Sequence, residues 1–287
     1  MSSILVQVIV GGLLLGAVYA LFSSGLTLVW GMMNLVNFAH GDFVMLGMYV
    51  AFVVWTLFGA GPWLGAPIAA LALATLGVVV YFGLIRHITK GPMLAQILGT
   101  FGLALLLRYS VFWWFGANFL SLPENLVGGT FDIAGLRIQA SRLLAGVVAL
   151  LVTLGLHLLL TRTSLGSKML AVAEDSTAAQ LMGIRPDTMH AIAWAIAAGA
   201  TGLAGALIAT FFYIVPTVGE TLSLVAFVTV SLGGFGSVPG ALVAGLLIGV
   251  IESLSGYLIG PVYKDMVVYS LFLGFLWFRP QGLMGKS

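Results

Sequence analysis

The amino-acid sequence predicts an all-α integral membrane protein, a polytopic helix bundle of about nine transmembrane spans. Three observations carry that expectation. Apolar residues fill 61% of the 287 positions and charged residues only 7%, where a soluble domain averages about 45–50% and about 25%. Mean hydropathy is +1.14, so water is not the solvent for most of the surface. The apolar positions also gather into runs near the roughly 20 residues that cross a bilayer core. The composition excludes other classes. With no cysteine there is no disulfide framework, thiolate metal site or cysteine nucleophile. A net charge of +2 is too small and dispersed for a nucleic-acid footprint.

The spans are expected at 4–29, 40–58, 64–85, 93–115, 141–161, 189–213, 221–234, 239–258 and 265–278 of a single transmembrane domain, 1–287. The first is expected to remain in the membrane: a cleavable signal needs a basic start, yet the first charge is Asp42 and the first basic residue Arg86. Span 221–234 is short and runs into Gly233-Gly234-Phe235-Gly236, and the first span dissolves into Gly31 to Asp42. Broken helices at these places would make the number of crossings eight to ten, by the roughly 20-residue criterion. Thirty-eight glycines point to helices packed through small residues, because lipid supplies no hydrophobic drive for pairing. The clearest stripes are Gly11–Gly16, Gly199–Thr201–Gly202–Gly205 and Gly245–Gly249.

Basic residues near span ends set orientation. Seven of the eleven (Arg86, Lys90, Arg162, Lys168, Arg185, Arg279, Lys286) fall on one side of a nine-span arrangement. That side is expected to be the cytoplasm, together with the C-terminus. Segment 116–140 then lies outside, where Asn118, Pro123, Glu124, Gly128-Gly129 and Asp132 read as turns of a connector or a small docking surface. Trp113 and Trp114 suit an interfacial aromatic belt.

The longest polar stretch, 162–188, contains a short expected helix. Asp175 or Ser176 suits the N-cap, and Glu174 and Asp175 suit the positive helix end. Gly183 suits a left-handed C-terminal turn, and Pro186 prevents continuation. Such a helix is far shorter than the ~12–15 residues needed for stability in isolation. Its apolar residues Ala178, Leu181 and Met182 therefore need a cover. That cover is either the protein's own helix ends or a groove on a cytoplasmic partner.

Other polar residues leave alternatives open. Asn34, Asn37, His40 and Asp42 form either a turn at the cytoplasmic interface or a helix break facing a pore. Gly233, Gly234 and Gly236 make either a flexible turn or a gate hinge. Glu252 and Arg108 lie inside spans without an evident partner. Glu252 is read as an interhelical hydrogen-bonding group rather than a substrate contact, and Arg108 as a residue that snorkels toward the outer interface. No catalytic set emerges. His40, His87, His157 and His190 lack metal-ligand spacing. Gly285-Lys286-Ser287 is not a phosphate loop, since Pro280 stands where a glycine is required. Neither a metal nor a cofactor is expected on this chain.

Gly166-Ser167-Lys168 through Ala173-Glu174-Asp175, followed by Ala179-Gln180-Leu181-Met182-Gly183-Ile184, resembles the coupling loop of bacterial ABC-importer permeases, and most closely the branched-chain amino acid (LivH-type) permeases. Gly16-Ala17-Val18-Tyr19-Ala20-Leu21, Asn37 to Asp42, Leu232 to Ala241, Tyr263-Lys264-Asp265 and Arg279 to Gly285 carry the same resemblance, in order, along nearly the whole chain. The departures are the short 116–140 loop and Arg108 within a span. The resemblance implies a permease subunit of the bacterial inner membrane, forming half of a path for branched-chain or related hydrophobic amino acids. It implies three kinds of partner: a second, related permease, two cytoplasmic ATPases that hold ATP and magnesium, and an extracytoplasmic solute-binding protein. Glu174 to Ile184 would then be the docking helix. The composition suits urea or short amides equally well. An ion-gradient-driven transporter is the alternative from another class, disfavoured because the spans carry so few ionisable groups.

Overall fold

The computed structural model describes residues 2–123, 127–133, 136–279 and 281–285. Glu124, Pro280, Lys286 and Ser287, which enter the turn, tail and phosphate-loop readings, lie outside the described residues. The chain runs through α1 (Ser2–Met33), α2 (His40–Phe58), α3 (Pro62–Val80), a π-helical turn (Tyr81–Ile85), α4 (Arg86–Ile88) and α5 (Met93–Phe115). It continues through β1 (Thr130–Ile133), β2 (Leu136–Gln139), α6 (Ala140–Arg162), α7 (Ser164–Glu174) and α8 (Ser176–Leu181). The last elements are α9 (Pro186–Ile208), α10 (Val218–Gly233), α11 (Val238–Leu258) and α12 (Lys264–Phe278). Among the described residues, seven helical rods are long and apolar enough to cross a membrane, α3 and α4 forming one continuous rod with the π turn. The apolar helices α10 and α12 are shorter, at 16 and 15 residues. This is a multi-pass, all-α membrane protein. Segment 116–140, read as turns, in fact pairs β1 with β2 as an antiparallel hairpin.

Backbone proximity organises the bundle. A Cβ added at Gly16 would lie 2.5 Å from the Gly245 carbonyl oxygen, and one at Gly12 would lie 2.7 Å from that of Gly249. The α1 and α11 backbones therefore touch along two successive turns. The first stripe is displaced by one position from the expected one, because Gly11 faces open space. Helix α9 is the centre of a second packing. A Cβ at Gly202 would meet the Ala69 carbonyl oxygen of α3 at 2.5 Å, and one at Gly47 of α2 would meet the Gly202 carbonyl oxygen at the same distance. The largest buried cluster joins α1, α2, α9, α10 and α11, with Phe22, Met45, Met48, Leu207 and Ile248 among its members.

The outer surfaces of α3, α5, α6 and α12 expose Leu71, Val79, Leu106, Leu151, Leu273 and Trp277. That is an apolar exterior appropriate to lipid. Replacing Gly16 with Val should destabilise the bundle by about 1–3 kcal/mol or prevent assembly, because neither backbone can withdraw. The same change at Gly11 should leave the protein close to wild type. Thermal unfolding of both variants in one detergent checks the contrast.

Candidate functional site

The short helix on the 162–188 segment is held at both ends. Asp175 is its N-cap: the carboxylate Oδ1 accepts from the Thr177 amide at 2.8 Å and the Ala178 amide at 3.0 Å. Ser176 is the first helical residue and Glu174 closes the preceding helix, so the cap falls to Asp175 alone. At the other end Gly183 adopts φ +82°. There the Ile184 N–H donates to the Ala179 carbonyl and the Gly183 N–H to the Gln180 carbonyl, both at 3.0 Å. This is a Schellman turn, with its hydrophobic contact made by Ile184 and Ala179. The six-residue α8 is fixed by its caps and by one buried alanine.

The expected cover over Ala178, Leu181 and Met182 is absent within the described residues of this chain. Ala179 carries the packing instead. It is 4% exposed and sits with Met169, Val172, Met189 and Ala193 beneath the C-terminal end of α1. Ala178 is exposed, and Leu181 and Met182 are 85% and 83% exposed. Helix α7, which the sequence did not single out, supplies the base. Its N-cap Thr163 accepts from the Gly166 amide at 3.2 Å, and its buried face is Gly166, Met169 and Val172. Beside this platform Arg86 pairs with Asp187 at 2.8 Å, and the Tyr81 hydroxyl donates to the same carboxylate at 3.1 Å. These contacts link the ends of α4 and α9.

The Asn34 to Asp42 segment joins α1 to α2 by a break that starts exposed at Asn34 and ends buried at Asp42. The α1 helix extends to Met33, and Asn34, the one non-glycine residue with positive φ among those described, turns the chain at φ +51°. Asn34 is exposed, whereas Asn37, His40 and Asp42 are buried. The Asn37 Oδ1 accepts from the Ala39 amide at 3.1 Å, and His40 Nε2 lies 2.7 Å from the Phe22 carbonyl oxygen, well inside α1. The Gly41 N–H donates to Ser223 Oγ at 2.9 Å, which seats the break against α10.

Both intramembrane charges that seemed solitary in the sequence are paired. Arg108 does not snorkel outward. Its Nε and Nη2 reach Asp42 Oδ1 and Oδ2 at 3.1 and 3.4 Å, and its Nη1 reaches Glu220 Oε2 at 3.0 Å. Glu252 accepts from the Tyr19 hydroxyl at 2.8 Å and forms an ion pair with Lys264, joining α1, α11 and α12. Sequence reading missed Glu220, Lys264 and Tyr19 as partners because they lie far along the chain from the groups they meet. The only local signal was their position at or beside a span.

The glycine turn between α10 and α11 is built on φ +98° at Gly234 and +80° at Gly236, and the Gly236 N–H donates to Thr27 Oγ1 at 2.9 Å. Gly233 packs against the Gly240 backbone. The C-terminal tail lies across this turn: the Leu283 and Met284 amides donate to the Leu232 and Gly233 carbonyls at 2.8 and 3.0 Å. Among the described residues no group of three or more metal-ligating side chains converges.

Among the described residues, seven membrane-length apolar helices and two shorter ones, with charges paired between them, make up a polytopic membrane protein. The chain belongs to the family described as branched-chain amino acid transport system / permease component, which matches residues 8–276. It is 33% identical to the high-affinity branched-chain amino acid transport system permease protein BraD of Pseudomonas aeruginosa, over 98% of this chain and 95% of that one. It is 30% identical to the LivH permease protein of Escherichia coli K12, over 98% and 95%. The LivM permease protein of the same organism is 29% identical, over 93% of this chain and 68% of its own length. No solved structure matches significantly.

Breaking the Glu252 pair tests the bundle's electrostatics. Lys264→Met leaves a carboxylate with only a tyrosine partner and should cost about 3 kcal/mol, whereas Lys264→Met with Glu252→Gln should recover most of that loss. Thermal unfolding of single and double variants in detergent measures the difference.

Proposed function

We propose that this chain is one of two membrane subunits of an ATP-driven importer for branched-chain or related hydrophobic amino acids, and that Leu181 and Met182 are the knob gripped by a cytoplasmic ATPase. One observation supports the reading above all. Two large apolar side chains stand almost fully exposed on a helix whose caps and underlying platform hold it rigidly. Exposed apolar pairs on a polar segment lose free energy in water unless a partner covers them. A helix seated in a groove is a recurrent way to cover them.

In this reading Glu174, Asp175, Ser176, Gly183 and Ile184 shape the knob, while Ala178, Leu181 and Met182 contact the partner. Closure of the ATPases on ATP and magnesium presses on α8. Helix α7 passes the displacement to α6, and the joint at 182–185 passes it to α9. Because α9 is packed backbone to backbone on α2 and α3, it moves those helices with it. Asn37, His40 and Asp42 hold the break at the start of α2, Asn34 stands at its exposed edge, and Gly233, Gly234 and Gly236 form the hinge of the inner gate. Glu252 keeps α12 joined to α1 and α11. The likeness to both LivH and LivM proteins supports a second, different permease across the path, with an extracytoplasmic binding protein delivering the solute. The chain lies in the bacterial inner membrane with its C-terminus in the cytoplasm.

Leu181→Asp should leave insertion and folding intact, since the side chain touches little of its own chain, and should lower ATP-coupled leucine uptake by about tenfold or more. Uptake at the wild-type rate in reconstituted transporter would overturn the knob. The permease purified alone should hydrolyse no ATP. Uptake by the complete transporter should persist when the proton gradient is collapsed and ATP is supplied, and its loss would favour an ion-driven mechanism.

A further inference from the structure

Most exposed faces of the spans are apolar, but α10 is an exception. Thr217, Glu220, Thr221 and Leu224 are exposed along one stripe at helical spacing, and Phe227 and Ser231 continue it half-exposed. Glu220 decides what this stripe faces. Its side chain is 68% exposed and is held on Arg108, whose own side chain is 16% exposed. Arg108 lies seven residues before the end of α5, about 10 Å inside it, and Trp113 and Trp114 beyond it mark an interfacial belt. Glu220 stands in the first turn of the short helix α10, as Asp187 and Asp265 do in α9 and α12, so its depth is set by its contact with Arg108. An ionised carboxylate at this depth is not tolerated against hydrocarbon, so the stripe faces water or protein.

The stripe is continuous with the helix break. The Phe38 and Phe227 rings are 5.3 Å apart, and Ser223 Oγ donates to the Phe38 carbonyl at 3.2 Å. Two carboxylates share one guanidinium here. Asp42 takes two of the Arg108 nitrogens and is fully buried, which leaves the negative charge of Glu220 on the open side. We propose that the α10 stripe is this subunit's wall of the solute path, and that Glu220 is the contact for the solute's α-ammonium group, with Leu224, Phe227 and Phe38 beside it for an apolar side chain. Resting on the amino-acid importer reading above, this names the part of the permease that touches the solute. Arg108 and Asp42 are positioning residues that hold Glu220 at its depth.

The chain contains no cysteine, which permits a direct test in the assembled transporter in intact membranes. Thr221→Cys and Leu224→Cys should react with a charged, membrane-impermeant thiol reagent, whereas Leu151→Cys on the apolar face of α6 should not. L-leucine should slow the labelling of Thr221→Cys. Its analogue without the amino group, 4-methylpentanoate, should not. Adding Glu220→Gln should abolish protection by leucine and lower uptake by about tenfold or more, and Glu220→Asp should retain part of both. Labelling no faster than at Leu151→Cys, in a transporter that does take up leucine, would overturn the wall and leave the importer reading standing. Reactive cysteines at Thr221→Cys and Leu224→Cys, together with a wild-type transporter that takes up no branched-chain amino acid, would overturn the solute assignment instead. Equal protection by leucine and 4-methylpentanoate, or unchanged uptake in Glu220→Gln, would overturn the ammonium contact.

Discussion

Direct backbone contact between helices is the constraint on which the rest of this permease depends. Lipid removes the hydrophobic drive that assembles soluble bundles, so helices hold together through close packing and interhelical polar bonds. Here Gly12 and Gly16 press against Gly249 and Gly245, while Gly202 lies between α2 and α3. Neither contact has room for a side chain. Helices joined so closely move as units, and α9 is thereby joined to two neighbours along its length and to the capped helix α8 at its N-terminal end.

The polar groups divide according to what they hold together. Tyr19, Glu252 and Lys264 tie α12 and α11 to α1, whereas Asp42, Arg108 and Glu220 tie α5 and α10 to the break before α2. The first set is closed and largely covered. The second ends in an exposed carboxylate, so its geometry has an open side. A third set, Arg86 with Asp187 and Tyr81, lies at the end of the bundle that carries α8. The C-terminal tail adds a backbone strap across the α10–α11 turn, so the glycine turn is bonded to the far end of the chain.

The capped helix α8 shows how local chemistry and tertiary packing cooperate. Asp175 and Gly183 define its ends without help from the fold, because an N-cap carboxylate and a left-handed glycine need only the local backbone. Which face it presents is a separate matter. Packing under α1 and α9 selects Ala179 as the buried residue and turns Leu181 and Met182 outward, the reverse of what amphipathicity alone suggests.

The amino-acid sequence by itself determined the membrane class, the places of the nine apolar helices, the short α10, and a short helix capped at Asp175 or Ser176 and ended at Gly183. These are read within a few residues of one another, from hydropathy, spacing and cap chemistry. Only the tertiary structure decided that Gly12 rather than Gly11 meets α11, and that Asn37, His40 and Asp42 are buried while Asn34 is exposed. It also decided that Arg108 finds Asp42 and Glu220, and that Glu252 finds Lys264 and Tyr19. The physical reason is that such contacts join residues remote along the chain. A one-residue rotation about a helix axis turns a side chain by about 100°, and no pattern within a single span specifies which neighbour will stand on the side it then faces.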